Sequence, residues 1–131
     1  MKYTYLATLV QNSKGQYEVE FPDLAPAAAT YGNNLEEAVR MAHDALTGYL
    51  LVAEDSKDQI PTAHSEREIT IPEHALVVPI VVDTVVARER EENKLVKKTL
   101  TIPEWLNVLG TERGINFSAT LTKALKEKLG V

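Results

Sequence analysis

The 131-residue chain has no cysteine, a single tryptophan and only two phenylalanines. Without cysteine it can form neither disulfides nor thiolate metal sites nor a sulfur nucleophile, which fits a reducing compartment. No apolar run is long enough to span a bilayer, and the start MKYTYLATLV lacks the basic stretch, apolar core and cleavage site of a signal peptide. A cytoplasmic protein without a membrane partner is therefore expected. His43, His64 and His74 lie too far apart for a helical zinc pair, and the neighbours His64 and Ser65 point apart as chain neighbours generally do. No catalytic residue, metal or cofactor is expected.

Positive charge is scarce overall, with a net charge of −5, and this argues against nucleic acid if taken as an average. The distribution reverses that argument. Residues 1–87 hold 5 Lys and Arg against 13 Asp and Glu, whereas residues 88–131 hold 9 against 6, so an acidic body precedes a basic tail. Apolar residues at 44% and charged residues at 25% are ordinary globular usage, enough to bury a core.

Lys2 to Val10 and Gln16 to Phe21 are rich in Tyr, Val, Thr and Leu and flank the polar Asn12-Ser13-Lys14-Gly15, which predicts a β-hairpin. In its second strand Tyr17, Val19 and Phe21 alternate with Glu18 and Glu20, giving one buried face and one carboxylate face. From Leu35 the apolar residues recur at 38, 39, 42, 45, 46, 49, 50 and 53, the period of a helix of about five turns. Asn34 is placed to cap it, with Glu37 in the reciprocal position of a capping box. Gly48 weakens its interior for no reason visible in the sequence. Ala75 to Val82 reads as a buried strand, in which Pro79 implies an edge, a bulge or a break. One helix on a small sheet is an α+β layer arrangement. The charge run Arg88 to Lys94 marks the boundary, so residues 1–87 form one domain, 88–95 a charged linker and 96–131 a second domain.

The tail VKKTLTIPEWLNVLGTERGINFSATLTKALKEKLGV begins as a strand. Alternation sets Lys98, Leu100 and Ile102 on one side and Lys97, Thr99 and Thr101 on the other. Pro103 turns the chain into a short helix with Trp105, Leu106 and Leu109 on its apolar stripe, and Gly114 sits where that helix ends. A second helix, capped by Asn116 or Ser118, buries Phe117, Leu121, Ala124, Leu125 and Leu129. One strand and two helices this short cannot close a core, and a lone strand has no ladder partner, so the tail must dimerise.

Thr99-Leu100-Thr101-Ile102-Pro103, the Gly114-Ile115-Asn116-Phe117-Ser118 turn and the Leu121 to Leu129 helix resemble the ribbon-helix-helix DNA-binding family. The resemblance implies a homodimer with Leu100, Ile102, Trp105, Leu106, Leu121 and Leu125 in its shared core. It also implies a two-stranded ribbon in the major groove of operator double-stranded DNA, with Lys97, Thr99 and Thr101 reading base edges and the helix start at Asn116 and Ser118 holding a phosphate. Helix amino ends attract anions through their dipole and free amides, which supports the last point independently. The alternative is an oligomerisation clasp whose Lys and Thr residues face water. Asn116-Phe117-Ser118 also matches a glycosylation sequon, an accidental match in a cytoplasmic chain.

Within the body, Phe21-Pro22-Asp23-Leu24, Thr30, Gly32, Leu35-Glu36-Glu37-Ala38, Ala42, Ala45 and Leu46 look like the HicB antitoxin family, with Ala25-Pro26-Ala27 where a Pro-Gly-Cys turn is common. That resemblance implies an amino-terminal partial ribonuclease H-like α/β domain, a small sheet plus one long helix, followed by the ribbon-helix-helix domain. It further implies a HicA-like mRNA-cleaving toxin as partner and repression of the protein's own operon. Complementary charge selects partners, so the acidic body is expected to cover a basic ribonuclease surface, with Glu18, Glu20 and Asp23 as candidate contacts. A homodimer and a dimer of such dimers both remain open. Two other classes stay in view. One is a free-standing ribbon-helix-helix regulator whose body senses a ligand; the other is a nuclease, which needs carboxylates converging on metal ions, and Glu18, Glu20 and Asp23 read better as a solvated or partner face.

Overall fold

The computed structural model describes residues 1–93 and 95–131; Lys94, within the expected linker, lies outside the described residues. The chain forms two compact units, Met1–Lys94 and Leu95–Val131. Together they hold a four-stranded antiparallel sheet and four helices, a mixed α/β protein.

The first unit is built on β1 (Lys2–Gln11), β2 (Tyr17–Glu20), β3 (Thr30–Gly32) and β4 (Leu76–Asp83), in the sheet order β3-β2-β1-β4. The predicted hairpin is β1–β2, with Leu9 opposite Val19 and Val10 opposite Glu18. Its turn is held by Asn12, whose side-chain oxygen accepts from the Lys14 and Gln16 amides, each at 3.0 Å. Gly15 there has a φ of +80°, the left-handed region where a Cβ is disfavoured. The short strand β3 falls in what the sequence presents as a loop.

Helix α1 (Leu35–Asp55) begins as its periodicity predicts. Asn34 Oδ1 accepts from the Glu37 amide at 2.8 Å. The capping box is only half formed, because the Glu37 carboxylate accepts from the Asn33 side chain instead, at 3.3 Å. The helix lays Ala38, Ala42, Leu46 and Leu50, all fully buried, against Tyr5, Ala7 and Leu9 of β1, Val19 and Phe21, and Ile80 and Val82 of β4. Phe21 and the two leucines are sites where truncation to alanine costs roughly 3–5 kcal/mol.

Strand β4 is not buried on both sides as its apolar run suggests. Ile80 and Val82 face the core, but Val81 is 53% exposed. Pro79 resolves as an edge residue, because β4 is the outer strand beside β1 and pairs Pro79 with Leu6. An edge tolerates a residue with no ladder donor.

Helix α2 (Thr84–Glu92) follows directly, capped by Asp83 Oδ1 accepting from the Val85 amide at 3.0 Å. The charge run is thus helical as far as Glu92 before Asn93 turns left-handed at φ +50°. Arg88 fastens α2 to the end of α1, donating to Glu54 at 3.1 Å and pairing with Asp55 at 2.9 Å. Glu54 also accepts from the Tyr3 hydroxyl at 2.8 Å and from Thr84 Oγ1 at 3.0 Å. The Tyr3 hydrogen bond, helped by Arg88 and Thr84 and opposed by desolvation, holds the Glu54 carboxyl below its ordinary range.

The second unit contains α3 (Glu104–Glu112) and α4 (Phe117–Leu129). Pro103 sits at the N-cap of α3 rather than in its first turn. Gly114, at φ +65°, donates to Thr111 O at 3.1 Å and ends it. Between them Gly110 approaches Phe117 so closely that a Cβ would meet the ring at 2.7 Å. Residues 96–102 form no strand in the single chain. A strand is defined by a ladder partner, and this stretch has none within its own unit. No helix among the described residues is long and apolar enough to cross a membrane.

Candidate functional site

The β1–β2 pairing sets the two faces of the sheet. Odd-numbered Tyr5, Ala7, Leu9 and Val19 meet α1, so Glu18 and Glu20 project from the open face, across from Val10 and Thr8. Tyr31 of β3 lies beside Glu18 and is 55% exposed. A hollow of about 390 Å³ opens between Gln16, Glu18, Glu20 and Tyr31.

Asp23 is not brought to that face. Its carboxylate accepts from the His64 backbone amide at 2.8 Å and meets His64 Nδ1 at 2.8 Å, with the Asp23 side chain only 10% exposed. This clamp fastens the long segment between α1 and β4 to the loop after β2, and the Tyr5 hydroxyl holds the same segment by donating to Pro61 O. The hydrogen bond and the negative charge of Asp23 raise the His64 imidazole above its ordinary value. No sequence pattern links residues 41 positions apart, so the pair was not legible before folding. Among the described residues no cluster of three or more His, Asp or Glu side chains could hold a metal ion.

In the tail, Lys97, Thr99 and Thr101 are all exposed. Asn116 is the cap of α4, its side-chain oxygen accepting from the Ala119 amide at 3.0 Å, and Ser118 stands exposed in the first turn. The apolar residues read as a shared core are uncovered: Leu100 is 51% exposed, Ile102 45%, Trp105 64%, Leu106 44% and Leu125 48%, with Leu121 half-buried. Neither helix has a single buried residue. Leu100, Ile102, Phe117, Leu121 and Ala124 line a common groove of about 490 Å³, whereas Trp105 lines a separate hollow with Val108 and Leu109. So much exposed apolar surface on so small a unit marks an interaction surface.

The fold presents two uncovered faces, one on the sheet and one on the tail, as a binding protein does. A family described as the HicB-like antitoxin of bacterial toxin–antitoxin systems matches residues 4–86, and the chain belongs to that family. A chain of a toxin–antitoxin complex from Streptococcus pneumoniae is 27% identical, with a TM-score of 0.59, over 98% of this chain and 99% of that one. The antitoxin HicB of Burkholderia pseudomallei shares the fold at 17% identity and a TM-score of 0.56, over 97% and 98% of the two chains. Its separate amino-terminal domain aligns with 62% of this chain at 19% identity and a TM-score of 0.50. No curated protein matches the sequence.

Proposed function

We propose that the protein is an antitoxin of a type II toxin–antitoxin system that both neutralises its toxin and represses its own operon in the cytoplasm. Residues 1–87, a partial ribonuclease H-like domain, bind a HicA-like, basic, mRNA-cleaving toxin and occlude its RNA-binding surface by shape and charge. Residues 88–95 connect this domain to residues 96–131, a ribbon-helix-helix module. The observation that carries the reading is the tail: a basic unit whose apolar residues are largely uncovered in one chain, attached to a body of the HicB-like family. Membership of a toxin–antitoxin complex by the Streptococcus pneumoniae relative supports the toxin as partner.

The physical sequence of events follows from the tail. Two copies pair Lys97–Ile102 antiparallel about a two-fold axis, which supplies the missing ladder and buries Leu100, Ile102, Trp105, Leu106, Leu121 and Leu125 between them. The resulting ribbon fits the major groove with Lys97, Thr99 and Thr101 outward, and the start of α4 at Asn116 and Ser118 holds a backbone phosphate. Because the Asp23 carboxylate is engaged by His64, contact with the toxin falls to Glu18 and Glu20.

The test is co-expression of the full chain with the small basic protein encoded by the adjoining reading frame, followed by a gel shift of the complex on the operon's upstream DNA. Rescue of growth together with a specific shift is expected. Toxicity undiminished by the folded full chain, or equal affinity for upstream and scrambled DNA, refutes the antitoxin or the repressor half respectively.

A further inference from the structure

The sheet of the body carries α1 on one face only, and the other face has a composition that charge alone does not explain. Reading along the open face, Thr4, Leu6, Thr8 and Val10 of β1 stand beside Val81, Pro79 and Val77 of β4, since Thr4 pairs with Val81, Leu6 with Pro79 and Thr8 with Val77. Leu6, Val10 and Val77 are half-buried and Val81 is 53% exposed. On the opposite flank the same rows end in Glu20 and Glu18, with Tyr31 beyond. The face is therefore an apolar strip bordered on one long side by carboxylates. Sheets open to water ordinarily alternate to polar residues on the wet side, whereas here Leu6, Val10, Val77, Pro79 and Val81 stand apolar on that side, with Thr4 exposed and Thr8 buried among them.

We infer that this open face, and not the acidic residues alone, is the docking surface of the body, and that its occupant is a protein with an apolar ridge flanked by Lys or Arg. The inference rests on the antitoxin reading and assigns that reading its contact surface. Charge decides the occupant. A second copy of this body would bring Glu18 and Glu20 towards another acidic surface, because residues 1–87 carry a balance of −8, and like charges across an interface disfavour association. A basic partner meets the carboxylates favourably. Size supports a joint role for both zones. At about 3.3 Å per residue and about 4.8 Å between strands, the eight-residue, two-strand strip covers roughly 250 Å², about a third of what one side of a standard interface buries. The apolar strip must be extended by Glu18, Glu20 and Tyr31 to make a stable contact.

The experiment uses the full chain co-expressed with the small basic protein of the adjoining reading frame, with affinity measured by calorimetry at low and high salt. The variants are Val81→Lys, at an exposed position where the fold is retained, Leu6→Lys, and the double change Glu18→Lys with Glu20→Lys; Arg40→Glu on the exposed side of α1 is the control. Thermal melting followed by circular dichroism verifies folding. Val81→Lys is expected to weaken binding about tenfold or more at both salt concentrations, the loss typical of a contact inside an interface. The glutamate reversal is expected to weaken it chiefly at low salt, and Arg40→Glu to leave it unchanged. Wild-type affinity in folded Val81→Lys overturns the inference, as does a change of oligomeric state in that variant with toxin binding intact, which would make a second copy the occupant. If the wild-type chain does not bind the basic protein at all, the antitoxin reading itself falls, and the docking face with it.

Discussion

Replacing Gly32 by alanine tests whether the approach of β3 to α1 is as close as it looks. A Cβ at this position would stand 2.3 Å from the Ala38 amide nitrogen, 2.5 Å from Ala38 Cα and 2.8 Å from the Glu37 carbonyl carbon. Ordinary contact needs about 3.5 Å, so the shortfall is roughly 1 Å. The obstructing atoms are helix backbone and cannot rotate aside. Relief requires moving either β3 or the first turns of α1, and α1 is pinned by Ala38, Ala42, Leu46 and Leu50, all at 0% exposure. Overpacking of this kind costs about 1–3 kcal/mol, and a backbone obstruction belongs at the upper end. For a unit of this size a loss of about 2.5 kcal/mol lowers Tm by roughly 10–20 °C. Gly48→Ala is the internal control of opposite sign. A Cβ there meets nothing within 4 Å, so the usual helix preference of alanine should add about 1 kcal/mol. All five tyrosines lie in the body and the one tryptophan in the tail, so urea unfolding followed by near-ultraviolet tyrosine dichroism reports the body. A Gly32→Ala protein within 0.5 kcal/mol of the parent would refute the packing argument. A destabilising Gly48→Ala would show that the exposed side of α1 is covered in the assembled protein.

Leu100→Asp places a charge where two tails are proposed to meet, so sedimentation should show loss of the dimer, and an unchanged dimer would remove Leu100 from the interface. Thr99→Ala and Thr101→Ala should each cost on the order of 1–3 kcal/mol on operator DNA and little on scrambled duplex, measured by titration at several salt concentrations. Full affinity and discrimination in folded variants would leave the tail as a clasp. The His64 imidazole should titrate above its ordinary value of 6.5 by NMR and fall back in Asp23→Asn. Because that value is raised on folding, the clamp's stabilisation is complete below pH 6.5 and is lost as pH rises through the folded-state value, so Asp23→Asn should abolish a stability decrease in that range. Glu54 has the reverse sign: its lowered carboxyl stabilises above the ordinary carboxylate range and loses that effect as pH falls, and Glu54→Gln should flatten the acid limb of urea stability.

Local chemistry makes several elements legible in the sequence alone. The period of Leu35 to Ala53, the Asn34 cap, the Asn12 to Gly15 turn and the charge asymmetry depend on residues within a few positions of one another, and the structure places α1, its cap and the hairpin where those signals lie. Short strand β3 escaped, because three residues carry no usable period and Gly32 reads as loop punctuation until α1 is seen against it. The reciprocal half of the capping box is replaced by a donor the pattern does not include, the Asn33 side chain, from which the Glu37 carboxylate accepts.

What folding alone decided are the long-range pairings. The engagement of Asp23 by His64, the convergence of Tyr3, Thr84 and Arg88 on Glu54, and the edge position of Pro79 join residues between 30 and 51 positions apart along the chain or depend on strand order, which no local pattern encodes. The open face is the clearest case. Alternation in β1 marks two faces, but which face α1 covers, and that Val77 and Val81 are left outside beside Glu18 and Glu20, follows only from the burial of one side against a single helix. For the tail the reverse holds: its sequence calls for a partner strand, and the folded single chain, with no ladder at 96–102 and no buried residue in α3 or α4, leaves that demand unmet.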